Sequence, residues 1–303
     1  MTFKSSRCTC RILPARACYS RRYMLAAPQF TAAYGMAAAM SWGTSDFFGG
    51  YFTRRADAFL FTAVFNLGGL ILVGTLAAAS HAPFPAMHSA LWVLAGGMSG
   101  GAGVAIFFRA LSTGRMGVIA PIAAVLGAAI PAVFSTFTEG LPGRMPILGF
   151  VFAAAGLWLL TRAEGGSTPQ GVGLAMVAGV GFAGFYVCVR QAGGGSALWF
   201  AALARTGGLI VTGLIVLIQR RFREITSSGV RWAVIAGCID SMGTMLFVVA
   251  NQKGRLDAAV VVSSLYPAVT VVLARIVLKE HFTRWKFVGL LAALAAVPMI
   301  AAG

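Results

Sequence analysis

Apolar blocks of about 20 residues, the length that crosses a hydrocarbon core, recur along the whole chain and are separated by short polar stretches. The pattern predicts helices over residues 31–51, 58–79, 90–111, 116–136, 146–162, 171–190, 198–218, 231–250, 258–278 and 286–302. The expected fold class is therefore an all-α integral membrane protein with ten transmembrane helices. The intervening stretches are too short to hold a soluble catalytic domain.

The pattern is written twice. Gly35-Met36, Trp42-Gly43, Phe47-Phe48 and Gly68-Gly69-Leu70 are matched by Gly173-Leu174, Val180-Gly181, Phe185-Tyr186 and Gly207-Gly208-Leu209. Further on, Gly114-Arg115-Met116, Glu139 and Gly149 reappear as Gly254-Arg255-Leu256, Glu280 and Gly289. Fixed-offset similarity of this kind marks a duplicated unit. Residues 31–164 form a first five-helix repeat and residues 171–303 a second, behind a basic tail of residues 1–30. Five is odd, so the second copy enters the membrane the opposite way round. Two inverted copies related by an axis in the membrane plane are a common transporter architecture.

Composition sharpens this. The 303 residues are 58% hydrophobic and only 11% charged, and the mean hydropathy of +0.83 lies outside the range of soluble domains. The 38 glycines suit helices whose backbones approach closely in lipid. A net charge of +16 on a soluble chain would suggest nucleic acid. Here the bases sit in loops and the tail, the distribution expected of a membrane protein. Loops after odd-numbered spans carry most of them, including Arg54, Arg55, Arg220, Arg221, Arg223 and Arg231; the even-numbered loops carry Arg144, Arg190, Lys253 and Arg255. That bias puts both termini outside, whereas the tail bases Lys4, Arg7, Arg11, Arg16, Arg21 and Arg22 pull the other way. The tail reads as a presequence or, preferably, as a disordered or mis-assigned start ahead of Met24 or Met36. Cys8, Cys10 and Cys18 lie in it without a fourth ligand, and Cys188 and Cys238 fall in predicted helices. They read as incidental thiols, and neither metal nor cofactor is expected.

Ionisable groups inside a bilayer are costly and invite a functional reading. Asp240 stands near the middle of the eighth span, and Arg205 a third of the way into the seventh. Asp240 either takes up a proton during a cycle or pairs permanently with Arg205. Asp46 follows Trp42 by four residues, on the same helix face. It either faces a central cavity with that indole or pairs with Arg54 or Arg55. Glu139 and Glu280 close helices and read as contacts to loop bases and helix ends; Arg109 and Arg275 lie where they can snorkel. Pro267, beside Tyr266, frees a helix carbonyl, and such breaks are tolerated where they line a cavity; Pro121 and Pro131 play a similar part. Tyr186 and Trp199 are candidates for cavity walls or for interfacial belts.

Gly97-Met98-Ser99-Gly100-Gly101 satisfies the G-x-S-x-G pattern, but a serine nucleophile needs a base in reach. The only histidines, His81, His88 and His281, lie in or beside loops. The motif reads more simply as a glycine-rich packing face. Neither an ATP-binding P-loop nor H-E-x-x-H occurs.

Together the motifs carry a resemblance. Ser41-Trp42-Gly43-Thr44-Ser45-Asp46-Phe47-Phe48-Gly49-Gly50 with Arg54-Arg55 resembles the first helix of bacterial EamA-type members of the drug/metabolite transporter superfamily. Ala120-Pro121-Ile122 and Pro131 ahead of Glu139 resemble that family's fourth helix. Ser263-Ser264-Leu265-Tyr266-Pro267-Ala268-Val269-Thr270, then Lys279-Glu280 and Gly289, resemble its ninth and tenth. The resemblance covers residues 33–303. It implies ten helices in two inverted repeats, carriage of small metabolites, commonly export, and both termini in the cytoplasm, against the loop-charge bias. Two features depart from it. Asn66 stands where members often carry Arg early in the second helix, although the matching Arg205 is kept, and Thr138 stands where Gly usually precedes Glu139.

The expectation is a secondary transporter of small metabolites, an exporter by preference, working by alternating access in a bacterial cytoplasmic membrane and not an enzyme. Proton coupling would rest on Asp240 and Asp46. Asp240, Arg205, Asp46, Trp42, Asn66, Tyr186, Tyr266 and Pro267 are the candidates for the substrate path. A facilitative uptake carrier or channel-like protein is the alternative. The expected partners are a small-molecule solute and membrane lipid, with a homodimer left open and no nucleic acid.

Overall fold

The computed structural model describes residues 27–114, 116–139, 143–161, 171–220, 226–278 and 284–301, and these are wholly helical apart from short connections. The helices are α1 (Ala27–Phe52), α2 (Ala58–Ala79), α3 (Met87–Thr113), α4 (Met116–Glu139), α5 (Arg144–Thr161) and α6 (Val172–Ala192). They continue with α7 (Ala197–Gln219), α8 (Ser227–Lys253), α9 (Leu256–Ser263), α10 (Tyr266–Leu278) and α11 (Arg284–Ala301). A helix stands at each of the ten predicted positions, the ninth in two pieces, α9 and α10. Six of these rods are long and apolar enough to cross a membrane: α2, α3, α6, α7, α8 and the Ala258–Leu278 stretch. The tail through residue 26, and Glu280, lie outside the described residues.

Local chemistry sets where the rods begin. Asp57 caps α2, its Oδ1 accepting from the amides of Phe59 and Leu60 at 3.0 and 3.0 Å. Ser196, at the matching place in the second half, accepts from the Trp199 amide at 3.4 Å and caps α7. Such caps satisfy donors that a helix start leaves without partners. The ninth rod breaks at Ser264-Leu265, whose amides turn back to the Val260 and Val262 carbonyls at 2.8 and 3.2 Å. Pro267 follows with no amide hydrogen to continue the ladder. By contrast, α4 stays continuous through Pro121 and Pro131.

The interior is aromatic and small. Phe61, Phe65, Phe107, Phe108, Phe200 and Phe247 are fully buried among alanines. Ile71, Leu76, Trp158, Leu217, Ile218 and Phe287 are exposed. A soluble protein would not carry that much apolar surface; lipid is the solvent these faces fit.

The helices pack in a fixed set of pairs. α3 packs on α6 as α8 does on α1, α3 on α7 as α8 does on α2, and α4 on α6 as α9 and α10 do on α1; α2 meets α7, and α5 meets α11. Glycines make the tightest approaches possible. A Cβ added at Gly97 would run into the Ala204 backbone, and one at Gly237 into the Phe65 carbonyl. Likewise, Gly101 lies against the Gly208 backbone, and Gly69 against the Ser241 hydroxyl. Without Cβ atoms the backbones approach closely, and dispersion contacts replace the hydrophobic drive that lipid cannot supply. Side-chain hydroxyls add to these seams: Ser99 donates to the Gly181 carbonyl at 3.0 Å, Ser45 to that of Ala236 at 2.9 Å, and Thr270 to that of Gly43 at 3.0 Å.

This packing predicts a position-specific glycine effect. Gly237→Ala should destabilise the protein by about 1–3 kcal/mol through overpacking. Gly213→Ala, where nothing lies within 4 Å of the new Cβ, should be neutral or slightly stabilising. Thermal unfolding of both variants in detergent micelles checks the contrast.

Candidate functional site

One cavity opens among the central helices. Its walls are Trp42 and Asp46 from α1, Asn66 from α2, Gly97, Gly100, Gly101 and Val104 from α3, and Phe182, Phe185 and Tyr186 from α6. Ala204 and Arg205 from α7, Asp240 and Thr244 from α8, and Tyr266 at the head of α10 complete it. Counted together with the open space at its mouth, it encloses about 560 Å³.

Its polar centre is an ion pair. Arg205 and Asp240 are 7% and 5% exposed, and Arg205 Nη2 donates to Asp240 Oδ2. The same nitrogen reaches Thr244 Oγ1 at 2.8 Å, and Thr244 sits 3.5 Å from Asp240 Oδ2, one turn along α8. Arg205 Nη1 donates to Asn66 Oδ1 at 3.3 Å. Asn66 is held for that task because its Nδ2 donates to the Thr62 carbonyl at 3.0 Å. The guanidinium carbon stands 5.5 Å from the centre of the Phe65 ring, whose face attracts a cation. Of the two sequence readings of Asp240, the structure draws the paired one.

Asp46 is different. It is 6% exposed, lines the cavity, and accepts no hydrogen bond among the described residues. Arg54 and Arg55 are exposed beyond the end of α1. Asp46 therefore faces inward, into the cavity that Asp240 also lines. One turn away, Trp42 packs its indole 6.1 Å from the Tyr186 ring, 5.6 Å from Phe247 and 6.5 Å, edge-on, from Tyr266. The Tyr266 hydroxyl is buried with no hydrogen-bond partner.

Seven of the eight path candidates thus meet in one cavity. Pro267 does not: it is buried beside Tyr266 and acts on the backbone. Trp199 stands away from the cavity, its Nε1 donating to the Ala82 carbonyl at 2.9 Å and its ring against Phe84 at 5.1 Å. Its indole closes the loop between α2 and α3. Arg109 and Arg275 are exposed. Sequence reasoning missed Thr244, Phe182 and Phe185 as wall residues. Thr244 was findable, four residues after Asp240 on one face. Gly97, Gly100 and Gly101 were read as packing alone; they also lie along the cavity wall.

Residues 169–302 match the EamA-like transporter family. A solved crystal structure of a protein superposes with a TM-score of 0.67 at 18% identity, covering 89% of this chain and 95% of that one. At that identity the likeness concerns the fold alone. No curated protein matches the sequence. The matched segment contains Arg205, Asp240, Tyr186 and Tyr266. The half ahead of the match carries the two departures, Asn66 and Thr138. With its apolar rods, the chain is an integral membrane protein, and the family's members move small molecules and are typically not enzymes.

The ion pair yields a sign test. Asp240→Leu should cost about 3–5 kcal/mol, because it strands a buried guanidinium. Arg205→Met combined with Asp240→Leu should cost clearly less than the sum of the single changes. A double-mutant cycle on detergent unfolding reads both numbers.

Proposed function

We propose that the chain is a secondary carrier of small metabolites, working by alternating access between two inverted five-helix repeats in a bacterial cytoplasmic membrane, with export as its direction. The observation that carries this reading is the position of the cavity. Exchanging α1 to α5 with α6 to α11 turns every major helix pairing into another pairing of the set. It also turns the Gly97 approach to Ala204 into the Gly237 approach to Phe65. The cavity lies where that exchange has its centre, at Asn66 and Arg205, which occupy matching positions in the two halves and hydrogen-bond each other. A site on such an axis is reached from either side when one half rocks against the other.

Movement of a buried charge needs compensation. Arg205 and Asp240 travel as a neutral couple, whereas Asp46 requires a counter-charge or a proton in any closed state. Proton coupling is therefore assigned to Asp46 rather than Asp240. The other titratable and charged groups that line the cavity with Asp46 are Asp240, Arg205, Tyr186 and Tyr266. A facilitative carrier is the second reading, favoured by the clamping of Asp240, which removes one proton acceptor from the cycle.

Counterflow in proteoliposomes tests the carrier reading, using labelled amino acids, sugars, nucleosides and amines with and without a pH gradient. Solute-specific exchange is expected, and its rate should respond to the gradient. In Asp46→Asn the response to the gradient should disappear. Accumulation without counterflow stimulation would indicate a channel and sink the carrier reading. Exchange indifferent to the gradient in the unaltered protein would leave the facilitative reading in place.

A further inference from the structure

We propose that the cavity takes a small organic cation, a protonated amine on an apolar or aromatic body. This rests on the carrier reading and names its substrate class. Three ionisable side chains other than tyrosines line the cavity: Asp46, Asp240 and Arg205. The guanidinium is already engaged by Asp240, Thr244 and Asn66. Its remaining nitrogen, Nε, has no partner but is fully buried and out of reach of the cavity. An entering carboxylate or phosphate would meet a guanidinium already neutralised by Asp240, with three of its five N–H donors taken, and a second carboxylate, Asp46, in the same cavity. Anions are disfavoured on that ground, and so are zwitterions such as amino acids.

What the cavity offers instead is one carboxylate without a partner, set among rings. An ammonium group can donate charge-assisted hydrogen bonds to Asp46. Trp42, Tyr186 and Tyr266 line the same space, and aromatic faces attract cations, indole most strongly. Gly97, Gly100 and Gly101 line the same space and add no donor side chain for an acid. Charge and rings thus agree on a single class. The same carboxylate cannot hold an amine and a proton together, so proton binding and amine binding compete.

The test is equilibrium binding to the purified full-length protein in nanodiscs, by titration calorimetry. The probes are phenethylamine, phenylalanine, 2-phenylethanol and phenylacetate, which share a ring and differ in charge. Phenethylamine should bind saturably, with the other three weaker by about 10-fold or more, the scale of a hydrogen bond to a charged group. Asp46→Asn should lose a similar factor for the amine, and Asp46→Glu should keep most of its affinity. The charge series on the unaltered protein needs no variant to fold. Failure of phenethylamine to bind, equal binding of any other probe, or unchanged amine binding in Asp46→Asn would overturn the proposal. An acid or zwitterion that binds and exchanges in proteoliposomes would remove the cation class and leave the carrier standing. An amine that binds but never exchanges would do the reverse.

Discussion

A guanidinium surrounded by helices in a low-dielectric medium must be met on every side, or it will not stay charged there. Arg205 is met from two helices besides its own α7: by Asn66 and the Phe65 ring on α2, and by Asp240 and Thr244 on α8. Each partner comes from a rod that must lie within a few ångströms of the others. The glycines make that possible. Gly237 lets α8 close onto the Phe65 carbonyl, and Gly69 leaves room beside Ser241 and the Arg205 stem. Small residues and the central charge thus form one device: remove the close approach and the ion pair loses its geometry.

The same device sorts the remaining polarity. Because Arg205 is already neutralised by Asp240, it does not define what the cavity attracts. That role passes to Asp46, whose surroundings are rings and glycines. A sequence shows two aspartates and an arginine as equals. Only their distances show that one aspartate is spoken for and the other is not.

Much of the fold was legible in advance. Helix positions follow from apolar run length, and the expectation of a duplication follows from repeated glycine and aromatic landmarks. Both are one-dimensional signals. The site was partly legible for a similar reason: charges are so rare in these spans that nearly every one must matter. Trp42 and Asp46 could be placed together because four residues on a helix make one face. What could not be read was the choice between partners. Asp46 had Arg54 and Arg55 nearby in sequence, and its inward direction depends on the rotation of α1 against α8. Trp199 was ambiguous because an amphipathic indole suits a cavity, a lipid belt or, as found, a loop carbonyl. The break at Ser264 was implied by Pro267, yet the same residue type left α4 unbroken. Proline alone does not decide whether a helix divides; the surrounding contacts do.

That difference between α4 and the α9–α10 pair carries a further meaning. If two identical halves exchanged places, the inward-facing and outward-facing forms would be equal in energy by symmetry. Here one half keeps a continuous rod with two prolines, and the other has a joint whose upper piece is tied to Gly43 through Thr270. On the proposed alternating-access reading, the two forms would therefore not be related by symmetry. An empty carrier built this way would have a preferred resting side, set by the polypeptide itself before any gradient acts on it.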